Sequence, residues 1–170
     1  LFRSAGLSRA ALNGREKTMK PIEQIHVVVI GAGLSGLAAA RALRLRNIPV
    51  TVLDAGDQVA EPWRARHPRL RLNIHRHFAQ LPGLPMTRRD GTFVRRDTVV
   101  DYLERYAAGL DAPIRFGAGV ESIEKTDSGW CVTTPTRDYF CAHVVVATGR
   151  DRVPHIPDWP GRSEFTGEIL

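Results

Sequence analysis

The sequence predicts a doubly wound α/β fold, in which helices flank a parallel sheet that carries a small β-meander insertion. Residues 25–30 form a β-branched apolar run, which is typical of a buried parallel strand. The glycine-rich turn 31–36 follows at once, and the Ala- and Leu-rich stretch 37–46 has the composition of a helix. A second β-branched run, Val50–Leu53, completes a strand–turn–helix–strand unit within about thirty residues.

The elements after this unit are predicted from weaker patterns. Residues 55–96 predict a loop, because prolines and glycines interrupt every period. Asp97 or Thr98 is expected to cap a helix. The apolar face of that helix has helical spacing and comprises Val99, Leu103, Tyr106, Ala107 and Leu110. Short strands are predicted from β-branched and aromatic runs at 114–116, 120–123, 130–134, 139–142 and 144–148.

Length and composition bound the classes of protein that need to be considered. The chain has 170 residues, of which 43% are hydrophobic and 25% charged, as in a globular protein and unlike a collagen or a disordered chain. Its two cysteines exclude a disulfide framework. No apolar run reaches the ~20 residues of a membrane span, and no secretory signal is recognisable. We therefore expect a cytoplasmic protein without a membrane partner.

Composition also predicts the organisation of the chain. Residues 1–24 are predicted to be a flexible leader, residues 25–152 the α/β domain, and residues 153–170 a proline-rich linker. Residues 1–18 contain four basic residues and one acid, Glu16, which is compatible with an organelle transit peptide. A flexible tail or translated upstream sequence is the simpler interpretation.

The glycine turn has the spacing GxGxxG of a dinucleotide-binding site. Gly31 permits a tight turn, Gly33 lets the backbone approach a pyrophosphate, and Gly36 lets the helix pack closely on the strand. The helix start at Leu34 and Ser35 then presents free N–H groups to the phosphates. Asp54 follows Gly36 by 18 residues, near the ~20-residue spacing of a ribose-binding carboxylate. An acid here favours FAD or NAD over NADP at this site.

The sequence resembles the N-terminal part of the class B flavin-dependent monooxygenases, a group that contains the flavin-containing monooxygenases and the YUCCA-like enzymes. The resemblance extends from residue 26 to residue 170. It is carried by the glycine turn with Asp54, Trp63-Arg64, Leu72-Asn73, Leu81-Pro82-Gly83, Ala147-Thr148-Gly149, the stretch 153–162 and Phe165-x-Gly167.

The resemblance implies a Rossmann-like FAD-binding domain and a role for each matching residue. The ADP half of FAD would be held by Gly31, Gly33, Leu34, Ser35, Gly36 and Asp54. Trp63 and Arg64 would lie along the flavin and its phosphates, Val120 would touch the adenine, and Thr148 and Gly149 would close over the cofactor. Asn73 would lie beside the flavin ring and the nicotinamide, as the catalytic hydrogen-bond donor.

The implied activity is that of an FAD- and NADPH-dependent monooxygenase, which oxygenates a small organic substrate with O₂ through a C4a-peroxyflavin. The alternatives are another FAD-dependent oxidase or reductase, and an inactive FAD-binding fragment. The fragment hypothesis arises because the related fingerprint Phe-x-Gly-x-x-x-His would place its histidine after Leu170, and no second GxGxxG is present. The sequence does not specify the substrate or the oligomeric state.

Other clusters of reactive or charged residues are given simpler interpretations. Ala60-Glu61-Pro62 stands where the related enzymes usually have Gly-Gly, so the loop there is expected to follow another path. Residues 64–96 contain nine arginines and one acid, a pattern that favours a solvated surface over a nucleic-acid site. His75 and His77 lack further metal ligands nearby. Cys131 and Cys141 are expected to be small buried residues that face each other across the hairpin.

Overall fold

The computed structural model describes residues 20–149, 155 and 157–168. Four helices and six strands alternate with loops along this part of the chain. In chain order they are β1 (Ile22–Ile30), α1 (Leu34–Arg44), β2 (Val50–Leu53), α2 (Glu61–Arg64), α3 (Arg76–Ala79), α4 (Arg96–Ala108), β3 (Ile114–Arg115), β4 (Ser122–Thr126), β5 (Gly129–Thr133) and β6 (Asp138–Val146). Two short 3-10 turns lie at Arg88–Asp90 and Arg162–Glu164.

The six strands form one mixed sheet in the order β3-β2-β1-β6-β5-β4. Strand β1 pairs in parallel with β2 on one side and β6 on the other, and β2 pairs in parallel with β3. Strands β4, β5 and β6 pair antiparallel as a meander. The predicted α/β class is therefore confirmed, and the meander is continuous with the parallel sheet.

Strand β6 corrects the predicted division of residues 139–148 into two strands. It runs without a break from Asp138 to Val146 and pairs with β1 along most of its length. Its first half also pairs with β5, so the same strand ends the meander and joins the parallel sheet. Val146 is 63% exposed, so the strand that was predicted to be buried at residues 144–148 is exposed near the end of β6.

The core consists of two apolar clusters. The larger cluster lies between the sheet and helices α1 and α4. Its fully buried members include Val29, Leu37, Val52, Val94, Leu103 and Tyr106. The smaller cluster joins Val28, Ile30 and Leu53 to Val132, Tyr139 and Cys141 of the meander. Because Val28 and Val29 point to opposite sides of the same strand, β1 is buried on both faces, as its β-branched composition predicts.

Helix α4 begins at Arg96, so the predicted cap at Asp97 or Thr98 is wrong. Its N-cap is Arg95, which provides no side-chain hydrogen bond. The backbone N–H of Arg96 donates to Leu70 O at 2.9 Å, and its guanidinium donates to Arg64 O at 2.7 Å. These tertiary bonds start the helix earlier than a local cap would.

The buried face of α4 is wider than predicted, because Val100 and Tyr102 are also buried. The hydroxyl of Tyr102 accepts from Leu81 N and donates to Leu84 O, each at 2.6 Å. The hydroxyl of Tyr106 donates to Pro82 O at 2.9 Å. The turn 81–84, within the predicted loop, is therefore held by side chains of the helix.

Strand β1 begins at Ile22, three residues before the predicted start of the domain at residue 25. Ile22 pairs with Asp138, and Lys20 Nζ donates to Thr134 O at 2.6 Å. These contacts place the end of the predicted leader against the meander. The remainder of the predicted leader, residues 1–19, lies outside the described residues, as do parts of the predicted linker 153–170.

Candidate functional site

Two glycines of the turn after β1 are required by the protein's own packing. Gly31 has φ +106°, and a Cβ there would lie 2.5 Å from Ala147 O. A Cβ at Gly36 would lie 1.8 Å from Gly31 O, which brings helix α1 directly against the turn. Any larger residue at either position would displace the backbone.

Gly33 has no such requirement. It is the N-cap of α1 with φ −82° and ψ −172°, a conformation open to any residue, and a Cβ there would meet nothing within 4 Å. Leu37 N makes the first bond of the helix, to Gly33 O at 2.9 Å. No side chain caps the helix and its first turn carries no acid. Within the described residues the N–H groups of Leu34 and Ser35 have no backbone partner, and they lie at the positive end of the helix dipole, a place suited to an anion.

Asp54 links the two turns that follow β1 and β2. Its Oδ2 accepts from Ala32 N at 2.5 Å and its Oδ1 accepts from Gly56 N at 2.8 Å. A carboxylate oxygen can accept more than one hydrogen bond, so both oxygens keep acceptor capacity for a ligand. The sequence spacing predicted the place of this carboxylate but not its role in joining the turns.

A cleft of about 430 Å³ opens where β1, β2 and β6 end. Pockets of about 300–1,000 Å³ are typical of small-molecule sites, and open α/β sheets bind ligands outside the carboxyl ends of their strands. Four of the predicted site residues line it, namely Gly31, Asp54, Val120 and Thr148. The rest of the lining includes Gly56, Glu61, Pro62, Ala118, Glu121, Ile123 and Val146.

Trp63 and Arg64 are not among the residues that line the cleft. Trp63 packs against the larger core cluster, with the Arg66 guanidinium 5.6 Å from its ring centre. Arg64 forms an ion pair with Glu104 of α4. Ala60, with φ +64°, is the N-cap of α2, and the turn presents Glu61 and Pro62 to the cleft. The loop thus contributes Glu61 and Pro62 to the cleft, although the sequence analysis assigned neither residue to the site. The one sequence signal was that Ala60-Glu61-Pro62 replaces the usual Gly-Gly.

Asn73 and Gly149 also lie outside the cleft lining. Asn73 is exposed at a bend, just after Leu72 N donates to Val94 O at 2.9 Å. Gly149 is exposed with φ +73°, beyond the end of β6. The catalytic role of Asn73, and the cofactor roles of Gly149, Trp63 and Arg64, stay predictions.

The two cysteines do not face each other, contrary to expectation. The hairpin register places Cys131 opposite Phe140 and Cys141 opposite Trp130. Since neighbouring positions of a strand alternate between faces, the two thiols point to opposite sides of the sheet. Cys141 is buried and Cys131 is half-buried, and burial raises the pKa of the Cys141 thiol.

Metal and membrane features are absent from the part of the chain that the structure describes. His75 Nδ1 accepts from His77 N at 3.2 Å and so caps the single turn of α3. Within the described ranges, no three His, Cys, Asp or Glu side chains come together as metal ligands. None of the described helices has the length and apolar character to cross a membrane.

A family model and known proteins match this arrangement. Residues 28–167 match the family described as pyridine nucleotide-disulphide oxidoreductase. The indole-3-pyruvate monooxygenase YUCCA1 of Oryza sativa subsp. japonica is 40% identical over 144 residues, which cover 82% of this chain and 36% of that protein. The chain therefore spans about a third of the length of the curated relatives it matches.

Two solved structures share the fold and part of the sequence. The flavin-containing monooxygenase from Stenotrophomonas maltophilia superposes with a TM-score of 0.79 at 27% identity, covering 85% of this chain and 44% of its own. An oxidized steroid monooxygenase bound to NADP superposes with a TM-score of 0.70 at 27% identity, covering 86% of this chain and 30% of its own.

Proposed function

The chain belongs to the pyridine nucleotide-disulphide oxidoreductase family, among the class B flavin-dependent monooxygenases, and we propose that it is the FAD-binding part of an FAD- and NADPH-dependent monooxygenase. The observation that carries this proposal is the open space over Gly33 at the start of α1. Gly33 lies in the same turn as Gly31, and Gly31 lines the cleft together with Asp54, which follows β2. A glycine that the protein itself does not require, placed at uncapped helix N–H groups, fits a bound pyrophosphate.

The residues present fit the ADP half of FAD. In the proposed mode the N–H groups of Leu34 and Ser35 would hold the pyrophosphate. Asp54 accepts from the ribose hydroxyls while it keeps its bonds to the two turns. Val120 and Ala118, in the apolar part of the lining, would hold the adenine. Thr148 closes the side of the cleft where β6 ends.

FAD supplies the redox chemistry when bound, by taking electrons from NADPH and passing them to O₂. The task of this chain's residues is then to hold and orient the cofactor. The substrate is proposed only as a small organic molecule, because the similar proteins are named for different ones, an indole-3-pyruvate monooxygenase and a steroid monooxygenase. Asn73 keeps its proposed place near the reacting ring as a hypothesis that depends on the family resemblance.

Binding of FAD to the purified chain tests the proposal. The chain is titrated with FAD while flavin fluorescence is followed, and the bound FAD is then challenged with ADP and, separately, with FMN. Because the proposed site holds the ADP half, ADP should displace FAD and FMN should not. Failure of FAD to bind, or displacement by FMN alone, would contradict the proposed site.

The reaction class needs a separate measurement on an active enzyme that carries this segment. A monooxygenase transfers one atom of ¹⁸O₂ to its product and consumes NADPH in proportion. An FAD-dependent oxidase or reductase, which is the alternative, would leave the product free of label. This result would overturn the monooxygenase proposal and leave the FAD site standing.

A further inference from the structure

The rim of the cleft is acidic. Of the residues that the structure describes, three carboxylates line it, Asp54, Glu61 and Glu121, and no Lys, Arg or His does. Glu121 lies 3.7 Å from Lys20 Nζ, so its charge is shared in an ion pair. Asp54 accepts from two backbone N–H groups. Glu61 is exposed, and within the described residues it forms neither an ion pair nor a side-chain hydrogen bond.

The backbone of Glu61 is held in place although its carboxylate is free. Glu61 is the first residue of α2 and is followed by Pro62, whose ring fixes φ. The same turn is anchored by Trp63, which packs in the core, and by the ion pair of Arg64 with Glu104. The carboxylate is therefore presented to the cleft by a fixed turn rather than by a free loop.

Glu61 and Asp54 approach the same point of the cleft wall. That point is the position where a Cβ would stand on Gly56. It lies 3.1 Å from Asp54 Oδ1, and 3.2 and 3.4 Å from Cβ and Cγ of Glu61. Both side chains thus border Gly56. Since both also line the cleft, a group bound beside Asp54 has the Glu61 side chain as a neighbour.

We propose that Glu61 is a specificity-determining residue, which excludes ligands that carry a phosphate on the adenosine ribose. The inference rests on the proposed function, since it concerns the same adenosine site. A ribose hydroxyl is neutral, whereas a phosphate monoester carries about −1.5 to −2 charge at pH 7. A like charge placed beside an uncompensated carboxylate is strongly disfavoured. Glu61 would thereby keep NADPH out of the cleft that FAD needs.

The test compares two ligands that differ only by this phosphate, ADP-ribose and 2′-phospho-ADP-ribose. Their Kd values are measured by calorimetry for the wild-type chain and for Glu61→Gln. Glu124→Gln is the matched control, because Glu124 is exposed on β4, does not line the cleft, and changes the net charge equally. We expect Glu61→Gln to bind 2′-phospho-ADP-ribose about tenfold more tightly, the order expected for one like-charge contact at a partly exposed site.

The affinity for ADP-ribose should stay within about twofold in both variants. The control Glu124→Gln should prefer ADP-ribose over 2′-phospho-ADP-ribose as strongly as the wild type does. The discrimination by the wild type should also weaken as salt is raised, because salt screens exposed charges. An unchanged preference in Glu61→Gln, with ADP-ribose still bound, would overturn the role of Glu61 alone. Absence of ADP-ribose binding in every chain would overturn the proposed function, and this inference with it.

Discussion

Replacing Gly33 by serine should stabilise the free protein and weaken FAD binding at the same time. The backbone at Gly33 already has the extended conformation that any residue adopts, and its Cβ direction is open. A serine at this N-cap can accept from the N–H of Ser35 or Gly36, the second and third residues of the helix. A pyrophosphate on the helix start would need the Ser35 N–H and the same space.

The two expected magnitudes follow from the structure. Substitution of a glycine by a compatible residue stabilises a protein by about 0.4–1 kcal/mol through the unfolded chain. Serine is better than glycine at an N-cap by a few tenths of a kcal/mol. A gain of about 1 kcal/mol corresponds to a Tm increase of roughly 2–4 °C for a chain of this size. Loss of one hydrogen bond to a charged group costs about 1.5–3 kcal/mol, or roughly tenfold to a hundredfold in the Kd for FAD.

Thermal unfolding without ligand and FAD titration measure the two effects separately. Gly33→Ala is the matched variant, because its methyl group fills the same space and offers no cap. We expect Gly33→Ala to lose FAD affinity and to have a lower Tm than Gly33→Ser, because alanine also restricts the unfolded chain but adds no cap. If Gly33→Ser bound FAD as tightly as the wild type, Gly33 would be an ordinary turn residue, and the assignment of the phosphate site would be refuted.

Three further predictions concern side chains in and around the cleft. Asp54→Asn should destabilise the protein by about 1–3 kcal/mol, because an amide N–H₂ cannot accept from a backbone N–H. It should also raise the Kd for FAD about tenfold, and an unchanged Kd would contradict the ribose-binding role of Asp54. Asn73→Ala should change the free energy of unfolding by no more than about 0.5 kcal/mol and should leave the Kd for FAD unchanged, because Asn73 is exposed and does not line the cleft. A tenfold higher Kd would place Asn73 against the cofactor. Tyr102→Phe should cost about 1–3 kcal/mol in urea unfolding, because Leu81 N and Leu84 O lose their partner. Burial raises the pKa of Tyr102. The stability that its hydroxyl provides is therefore complete below about pH 10, the ordinary pKa, and is lost as pH rises through the higher folded pKa. Between pH 8 and pH 10.5 the free energy of unfolding should fall less in Tyr102→Phe than in the wild type.

The strand–turn–helix–strand unit could be predicted from the sequence because its determinants are local. The residue after β1 must be a glycine, since Gly31 has a positive φ and a Cβ there would meet the backbone of Ala147, just after β6. The bounds of β2 were predicted correctly at Val50–Leu53, where every residue is apolar or β-branched and buried. Asp54 falls at the cleft because its position follows from the end of that strand.

The errors arose where contacts between distant segments decide the structure. The start of α4 depends on bonds from Arg96 to Leu70 and Arg64, which no cap pattern reveals. The single strand β6 exists because β1 pairs with it across both segments that were predicted separately. The thiols of Cys131 and Cys141 point to opposite faces because the hairpin register is offset by one residue from the expected one.

By itself, therefore, the sequence determined the fold class, the glycine turn and the carboxylate at the end of β2. Only the tertiary structure decided which side chains surround the cleft. Trp63 packs against the core while Glu61 lines the cleft, although both belong to one short turn. The physical reason is that a residue's conformational limits are intrinsic to it and its neighbours. The direction of a side chain in a loop depends instead on what packs against the other side of that loop.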